Sequence, residues 1–471
     1  MSLNGAGQGA APPTTTWRPS TAFVLGAAAG VALLGLGVLA GRPDVALLGA
    51  GPVLGAAWSA RRGGTGPVEV REEIELDKNG AMPARRLAAS YRIEAPGAGH
   101  VRLRVSRFGS VTVSALVALD EDGSRTLHAS TSSARNGAQP LFTLDHLAVG
   151  PAESTVAEPG RVDATRIVAL PQARRLPPLP LPFRLRGLTG AHASRRPGDG
   201  GDLRDVHLFQ PGDRLKRIDW RVTARRSPQL EELYVRRDFA LADSVVVIVL
   251  DSRDDVGPDA ATWSGAVPVR PDEHTSLDIA REAAASLANQ VVASGDRVAL
   301  RDLADARRPL DPGTGRRHLD RFLWHLATTS PRGAARDTVR APQLPSGALV
   351  ILLSTFLDPQ SALVASQWRR QGHRVIAIDT LPPLRSGSLT ARERLAVRLV
   401  TIERTDRLAE LESLGVETFA WVRTPVKQPR KTSADDGAPR TAVPETPAGP
   451  EVQLLRLGYR SHGQPGKGVG R

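Results

Sequence analysis

Apolar residues follow several patterns along the chain, and the first of them predicts membrane insertion. Residues 21–40 carry no charge over twenty positions. At about 1.5 Å per helical residue they would span about 30 Å, the thickness of a hydrocarbon core. A polar break at 41–44 is followed by a second, shorter apolar run over 45–60. We therefore predict a transmembrane helical hairpin over 21–62, preceded by an N-terminal tail over 1–20.

The charges beside the two apolar runs predict how this hairpin is oriented. Arg18 precedes it and Arg61 and Arg62 follow it, whereas Arg42 in the turn is balanced by Asp44. The positive-inside rule then places both ends in the cytoplasm, so we expect a multi-pass plasma-membrane protein with most of its chain cytoplasmic. The alternative is a cleaved signal peptide at the first run. The sparse basic region upstream and the second apolar run disfavour it.

The next region changes to a strand pattern. Between residues 66 and 170, stretches such as HVRLRV and SVTVSALVAL place apolar residues at alternate positions, separated by Gly, Asn, Asp and Pro clusters. This spacing predicts an antiparallel β-sandwich, with the role of a spacer or docking module. Residues 171–186 are rich in proline and predict an extended linker of polyproline character.

Residues 187–423 alternate buried strands with helices. Continuous apolar runs such as SVVVIVL at 244–250 and ALVILL at 348–353 are typical of strands covered on both faces. Helical spacing follows these runs, at 276–293 after the first and at 361–371 after the second, and again around 404–414. The alternation predicts a parallel sheet covered by helices. From 424 to 471 the composition predicts a disordered tail.

Composition narrows the possible chemistry. The formal net charge is +13 with a pI of 11.0, which suits an anionic lipid surface or nucleic acid. Acids and bases interleave, however, and aromatics make up only 4%, so nucleic acid is disfavoured. There is no cysteine, which excludes disulfides, thiolate zinc sites and cysteine nucleophiles. The sequence also lacks G-x-S-x-G, H-E-x-x-H and Walker A motifs, so we expect no enzyme.

The most distinctive segment precedes the first buried strand. It contains Gly212-Asp213, Arg217-Ile218-Asp219-Trp220 and Thr223-Ala224-Arg225, after a Gly-rich lead at 198–201. This pattern resembles the bacterial domain-of-unknown-function 58 family. The resemblance is close over about 187–260, with His207 standing where the family more often has arginine.

Two interpretations of this motif stay open. In the first, interleaved acids and bases pin a loop to the sheet, with Asp213 and Asp219 in ion pairs and Trp220 packed beneath. In the second, the motif faces a partner. We favour the first for Asp213, Asp219 and Trp220, whereas Arg225 and Arg226 are as compatible with one as with the other. As candidate binding residues we name a set drawn from this motif and the next loop: Asp213, Arg217, Asp219, Trp220, Arg225 and Asp251.

The family resemblance implies a von Willebrand factor A-like fold for this region. Such domains usually bind a divalent cation in an Asp-x-Ser-x-Ser loop after the first strand, where hard oxygen ligands suit Mg²⁺. Here Asp251 is retained, but Arg253 and Asp255 replace the serines, and Thr355 follows the later strand. A cation beside Arg253 is electrostatically disfavoured. If a metal binds, its ligands would be Asp251, Asp254 and Asp255, and we expect no other cofactor.

We therefore expect a membrane-anchored multidomain protein: two transmembrane helices, an antiparallel β-sandwich and an α/β von Willebrand factor A-like domain. The resemblance implies a cytosolic binding or adaptor protein whose partner is a MoxR-type AAA+ ATPase, in a chaperone-like or envelope-related assembly. Two alternatives stay open. One is a metal-dependent hydrolase using the Asp251 loop, and the other is binding of anionic lipid or nucleic acid through the basic surface.

Overall fold

The structure is a computed structural model that describes residues 15–462 apart from a set of short segments: 61–65, 79, 85, 184, 186–191, 264–266, 306–308, 332–339, 386–388 and 422–448. The chain divides into two units, Met1–Leu170 and Pro171–Arg471. The division falls between the predicted sandwich and the predicted linker. Each unit is described separately.

The first unit contains two helices packed against each other, α1 (Thr21–Leu39) and α2 (Pro43–Ala60). Ser20 begins α1 as an N-cap, because its hydroxyl accepts a hydrogen bond of 3.1 Å from the Phe23 amide. The helices come close at glycines: a Cβ added to Gly37 would lie 2.3 Å from the Ala46 amide nitrogen. Small residues at the contact are how apolar helices approach one another.

Only one of the two helices meets the length and composition of a membrane span. In the described part of the chain, α1 alone is long and apolar enough to cross a membrane, with a mean hydropathy of 2.3. The helix α2 forms where the second span was predicted, but Pro52 lies inside it and it falls short of the same criterion. The structure thus supports one candidate span, and the second stays a prediction.

The rest of the first unit is a β-module with a single apolar core. Its strands are β1 (Trp17–Pro19), β2 (Glu69–Glu73), β3 (Ala81–Pro83), β4 (Leu87–Glu94), β5 (His100–Arg107), β6 (Ser110–Ala118), β7 (Ser124–Thr131), β8 (Gly137–Pro140), β9 (Thr143–Val149), β10 (Thr155–Ala157), β11 (Gly160–Val162) and β12 (Arg166–Leu170). They form a six-stranded sheet in the order β1-β10-β9-β5-β6, with β11 also on β9, and two three-stranded sheets, β2-β4-β7 and β3-β12-β8.

Two details of this module differ from the sequence prediction. The pairing of β3 with β12 is parallel, so the module is not purely antiparallel. Within the N-terminal tail predicted over 1–20, Trp17–Pro19 forms a strand that pairs with β10; residues 1–14 lie outside the described residues. The Trp17 indole donates to the Gly66 carbonyl at 2.9 Å and the Val68 amide donates to the Thr15 hydroxyl at 2.9 Å. The chain therefore returns after α2 to the place it left before α1.

The second unit begins with the proline-rich stretch, which is bound to its own unit along much of its length. Its described part has no helix or strand, as expected for extended chain. The Arg174 amide donates to the Ser286 hydroxyl at 2.9 Å, and its guanidinium pairs with Glu282 at 2.8 Å. Leu176 is buried in the core of this unit. Because of these contacts, the segment is packed against its own unit and is not a free linker.

A long hairpin precedes the main sheet of this unit. Its strands β13 (His192–Leu208) and β14 (Tyr234–Ala242) are antiparallel. The short helix α3 (Trp220–Arg226) lies in the segment that joins them. Two residues separate the end of β14 from the start of β15.

The main sheet has six strands in the order β17-β16-β15-β18-β19-β20. Its strands are β15 (Val245–Leu250), β16 (Arg297–Asp302), β17 (Leu310–Gly313), β18 (Leu349–Ser354), β19 (Arg374–Asp379) and β20 (Glu417–Ala420). The helices are α4 (Ser276–Ala293), α5 (Arg316–Thr328), α6 (Gln360–Arg370), α7 (Ala391–Ser413) and α8 (Pro450–His462). All strand pairs are parallel except β16 with β17.

Helices cover both faces of this sheet. Val246, Ile248 and Leu250 pack in one core layer with residues of α4, α5 and α8. Val247 and Val249 pack in the other layer with residues of α6 and α7. Successive side chains of a strand point to opposite faces. The continuous apolar run therefore fills both layers at once.

Two helices depart from the sequence prediction. The disordered tail predicted over 424–471 is wrong for Pro450–His462, which forms α8 and buries Leu454 in the core beside the last strand; 422–448 and 463–471 lie outside the described residues. The last predicted helix begins at Ala391 rather than near 404, because Thr390 and Glu393 form a capping box.

Candidate functional site

The strand order locates a crevice at the carboxyl end of the sheet. From β15 the chain goes to β16 on one side, and later to β18 on the other side of β15. In open α/β sheets, such a reversal leaves a crevice beyond the carboxyl ends of the two diverging strands, where ligands bind. Asp251 directly follows β15, and Ser354 ends β18. We call the loops at this crevice the carboxyl edge.

A buried ion pair occupies the centre of the carboxyl edge. Arg253 donates from Nε to Oδ1 of Asp251 and from Nη2 to Oδ2, both at 2.7 Å. Only 4% of the arginine side chain and 1% of the aspartate side chain are exposed. The guanidinium also reaches Asp358, with Nη2 2.9 Å from Oδ2. Ser354 donates its hydroxyl to Asp251 Oδ2 at 2.7 Å.

This network keeps the arginine charged. Burial alone would lower the pKa of Arg253, but its hydrogen bonds and charge attraction to Asp251, together with Asp358, raise it. Bidentate pairing of guanidinium with carboxylate is the strongest form of such a bond. The positive charge beside Asp251 is therefore supplied by the chain itself.

The next acid in the loop has a different environment. Asp254 accepts a hydrogen bond of 3.2 Å from the Thr355 hydroxyl. Burial, and then the negative charges of Asp251 and Asp358, raise its pKa to about 7, although Arg253 and Thr355 oppose the shift. Near neutral pH this carboxyl is therefore divided between its acid and its ionised form.

These contacts do not fit a magnesium site. Both carboxylate oxygens of Asp251 accept hydrogen bonds from Arg253. The Ser252 hydroxyl donates to Asp302, at 2.8 Å to Oδ1 and 2.7 Å to Oδ2. Asp255 accepts from the Leu277 amide at the start of α4, at 3.2 Å. No group of three His, Cys, Asp or Glu in the described ranges could hold a metal ion. Asp251, Asp254 and Asp255 therefore do not converge on one ion.

The helix α7 is fastened to the carboxyl edge and extends past it. Arg404 donates from Nε to the Thr355 carbonyl at 2.7 Å and forms an ion pair with Asp379. Arg407 donates to the Phe356 carbonyl. Burial raises the pKa of Asp379, and Arg404 opposes the shift. The thirteen residues from Ala391 to Glu403 precede this anchor and extend about 20 Å along the helix axis.

That extended half carries an apolar stripe. Leu395, Leu399 and Ile402 are 60%, 56% and 49% exposed. Their spacing of four and three residues places them on one helix face. Such a stripe on a soluble surface is typical of a contact site. We call these three residues the α7 stripe.

The motif residues lie elsewhere, in the segment joining β13 to β14. Asp219 is the N-cap of α3 and accepts from the amides of Arg221 and Val222 at 3.1 and 3.0 Å. Asp213 accepts from the Gln210 amide at 3.0 Å and lies 3.1 Å from Nε2 of His207. The hydrogen bond from Gln210, with help from His207, lowers the pKa of Asp213. Both carboxylates therefore hold the local backbone conformation of the motif by accepting hydrogen bonds from backbone amides.

The remaining motif residues include exposed ones. Trp220 is 60% exposed, so the predicted packing of this ring beneath the loop is wrong. Arg225 is exposed in the last turn of α3, and Arg217 is half-buried. Arg226 lies over the Tyr234 ring, 5.4 Å from its centroid. The motif therefore presents an aromatic ring and a basic charge to its surroundings.

The structure does not bring all predicted site residues together. β14 leads into the amino end of β15, whereas Asp251 follows its carboxyl end. The motif segment is thus connected to β15 only through β14, at the amino end of β15, whereas the Asp251 loop continues from its carboxyl end. Sequence reasoning missed Asp302, Asp358 and Arg404, which complete the carboxyl edge. An acid at the end of a buried strand was the available signal for Asp302, whereas Asp358 lies four residues past the end of β18.

Comparisons with known proteins support the resemblance over part of the chain. Residues 205–389 match the family described as Protein of unknown function DUF58. Uncharacterized proteins of Mycobacterium tuberculosis and Mycobacterium bovis are 28% identical over 206 residues. This match covers 42% of the chain, which spans 60% of the length of these relatives.

Proposed function

We propose that this chain is a membrane-anchored binding protein whose carboxyl edge and α7 stripe engage a protein partner without a metal ion. The observation that carries the proposal is the Arg253–Asp251 pair. It fills the place where a von Willebrand factor A-like domain would hold its cation. The guanidinium stays charged and donates from Nε and Nη2 to the two oxygens of the buried Asp251 carboxylate, so no exchangeable ion is needed to neutralise that carboxylate.

The site has the character of a contact surface rather than a catalytic centre. At the carboxyl edge, each described carboxylate is already engaged within the chain, in a hydrogen bond or an ion pair. Next to these fixed polar groups stands the α7 stripe, exposed and apolar. Apolar anchors beside fully satisfied polar groups are what protein interfaces use. This combination favours a binding role over the metal-dependent hydrolase.

The proposed anchor is a hairpin of α1 and α2 with both ends in the cytoplasm. Its support is the return of the chain to the β-module, through the bonds of Trp17 to Gly66 and of Val68 to Thr15. A single crossing would separate those two ends by a membrane. The basic residues Arg18, Arg61 and Arg62 favour the cytoplasmic side for both.

We further propose that the partner is an AAA+ ATPase of the MoxR type, in a chaperone-like or envelope-related assembly. The family resemblance is the support for this partner. The order β16-β15-β18-β19-β20 and the position of Asp251 are compatible with the von Willebrand factor A-like fold that the resemblance implies. Among the described residues, we find no specific site that supports lipid or nucleic-acid binding through basic residues.

The experiment measures binding of a purified MoxR-type ATPase from the same organism to the full chain in lipid nanodiscs. Leu399→Asp places a charge in the α7 stripe, and we expect it to weaken binding about tenfold or more, as for a desolvated interface anchor. Val452→Asp is the matched control, because Val452 is an apolar residue of another helix and is 44% exposed. The proposal fails if the ATPase does not bind, or if both variants bind it as the wild type does.

A further inference from the structure

The strand β6 forms one end of the six-stranded sheet, and its outer edge is free of any described segment. Its nine residues read SVTVSALVA, without charge or proline. Val111, Val113 and Leu116 are 54%, 53% and 65% exposed. A long, apolar edge strand offers unpaired backbone groups to another chain, so natural proteins usually protect such edges with charges, prolines or short length.

The other terminal strands of the described sheets carry that protection. Each contains a charge or a proline, and many are short: Arg18 and Pro19 in β1, Glu69 in β2, Pro83 in β3, Arg125 in β7, Pro140 in β8, Arg161 in β11, Arg204 in β13, Arg236 in β14, Asp311 in β17 and Glu417 in β20. Only β6 departs from this rule among them. The departure makes β6 the described edge strand best suited to pair with another chain.

The pairing of β6 with β5 shows which side chains are involved. Val113, Ala115 and Val117 stand opposite Val105, Leu103 and Val101, so they lie on the core side of the sheet. Val101 and Leu103 are buried there, but Val113 and Ala115 are exposed. The sheet therefore extends beyond the layer that covers its core. A register shift at Thr112 leaves residues 113–118 as the regular part of the strand.

We propose that two copies of this chain pair antiparallel through β6, with the two-fold axis at Ala115. This register places Val113 opposite Val117 and Ser114 opposite Leu116, and Ala115 meets its own copy. On the core side of the sheet, apolar residues of one copy then lie opposite apolar residues of the other. The exposed part of each sheet continues into that of the other copy. An isologous contact brings each residue near itself. A strand without charge suits that symmetry, because no like charges meet at the axis.

The nearest charges also permit the pairing. Arg102 and Arg104 lie on the neighbouring strand β5, opposite Leu116 and Ser114. Across the paired copies, the two β5 strands would be three strand spacings apart, about 14 Å. That distance exceeds the Debye length of about 8 Å at physiological ionic strength. Repulsion between these arginines is therefore largely screened.

A disulfide tests the register directly, because the chain has no cysteine of its own. Residues facing each other in an antiparallel pair have Cα atoms about 4.5–5.5 Å apart, within the range a disulfide bridges. In the full chain in detergent, we expect Ala115→Cys to form a covalent dimer under mild oxidation. Thr126→Cys, an exposed position on the terminal strand β7, is the matched control. Equal cross-linking of the two variants would overturn the proposal.

Charged substitutions at Ala115 test the same pairing without cross-linking. Ala115→Lys and Ala115→Glu each place like charges at the axis, so each should weaken self-association in sedimentation by about tenfold or more, and an equal mixture should restore it. Thr126→Lys should leave self-association unchanged. A wild type that stays monomeric at about 100 μM, or a mixture that does not recover, contradicts the β6 dimer. Neither outcome bears on ATPase binding.

Discussion

Replacing Arg253 with alanine is the most informative change at the carboxyl edge. It removes the guanidinium that pairs with Asp251 at 2.7 Å through Nε and Nη2, and leaves a carboxylate that is 1% exposed in the wild type. The Ser354 hydroxyl would be its remaining described side-chain partner. Removing one partner of a buried ion pair costs about 3–5 kcal/mol, since the other charge stays buried without compensation. We expect a loss of that size in Arg253→Ala.

Thermal unfolding of the full chain in detergent measures this loss by tryptophan fluorescence. For domains of this size, about 1 kcal/mol corresponds to about 2–4 °C in Tm, so Arg253→Ala should lower Tm by about 6 °C or more. Arg316→Ala is the control, because its pair with Asp320 is on the surface of α5 with 85% of the arginine exposed; such pairs are worth about 0.3–0.5 kcal/mol. A Tm drop equal to that of Arg316→Ala would refute a central role for the pair.

Further predictions concern the metal, pH, the last helix and the motif. Arg253→Ser frees the oxygens of the carboxyl edge, so millimolar Mg²⁺ should raise the Tm of this variant and not of the wild type. Burial raises the pKa of Asp254 from 3.8 to about 7, so its stabilising proton is lost as pH rises through this range; stability should fall by at most about 4 kcal/mol between pH 4 and 7. Asp254→Asn should flatten that profile in denaturant titrations. Leu454→Ala should cost about 2–5 kcal/mol if α8 is part of the core. Trp220→Ala should leave Tm unchanged within about 1 °C, because the ring is exposed.

Hydrophobic periodicity along the sequence predicted the buried strands of the main sheet. It failed for elements whose burial depends on tertiary contacts. In the run SVVVIVL every position after Ser244 is apolar, a pattern typical of a strand covered on both faces, and β15 is such a strand. The helix α8 escaped prediction because its apolar residues lie in a polar, proline-rich surrounding. Leu454 gains its burial from a distant strand, which no local pattern shows.

The candidate site was foreseen in part for a similar reason. The position of Arg253 in the loop indicated a conflict with a cation, but its bidentate bond to Asp251 depends on rotamers that spacing does not fix. Trp220 was expected to pack beneath a loop pinned by ion pairs, but the ring is 60% exposed. Its position on the exposed side of α3 is a property of how the β13–β14 hairpin folds, not of the residues around it in sequence.

The central claim is that the carboxyl edge binds its partner without a metal ion. Its most direct test is the dissociation constant of the nucleotide-free ATPase for the full chain in nanodiscs, measured with a chelator and again with Mg²⁺. Since Arg253 occupies both carboxylate oxygens of Asp251, no cation is needed there, and the two values should agree within about twofold. Binding that disappears with the chelator and returns with Mg²⁺ would contradict the claim.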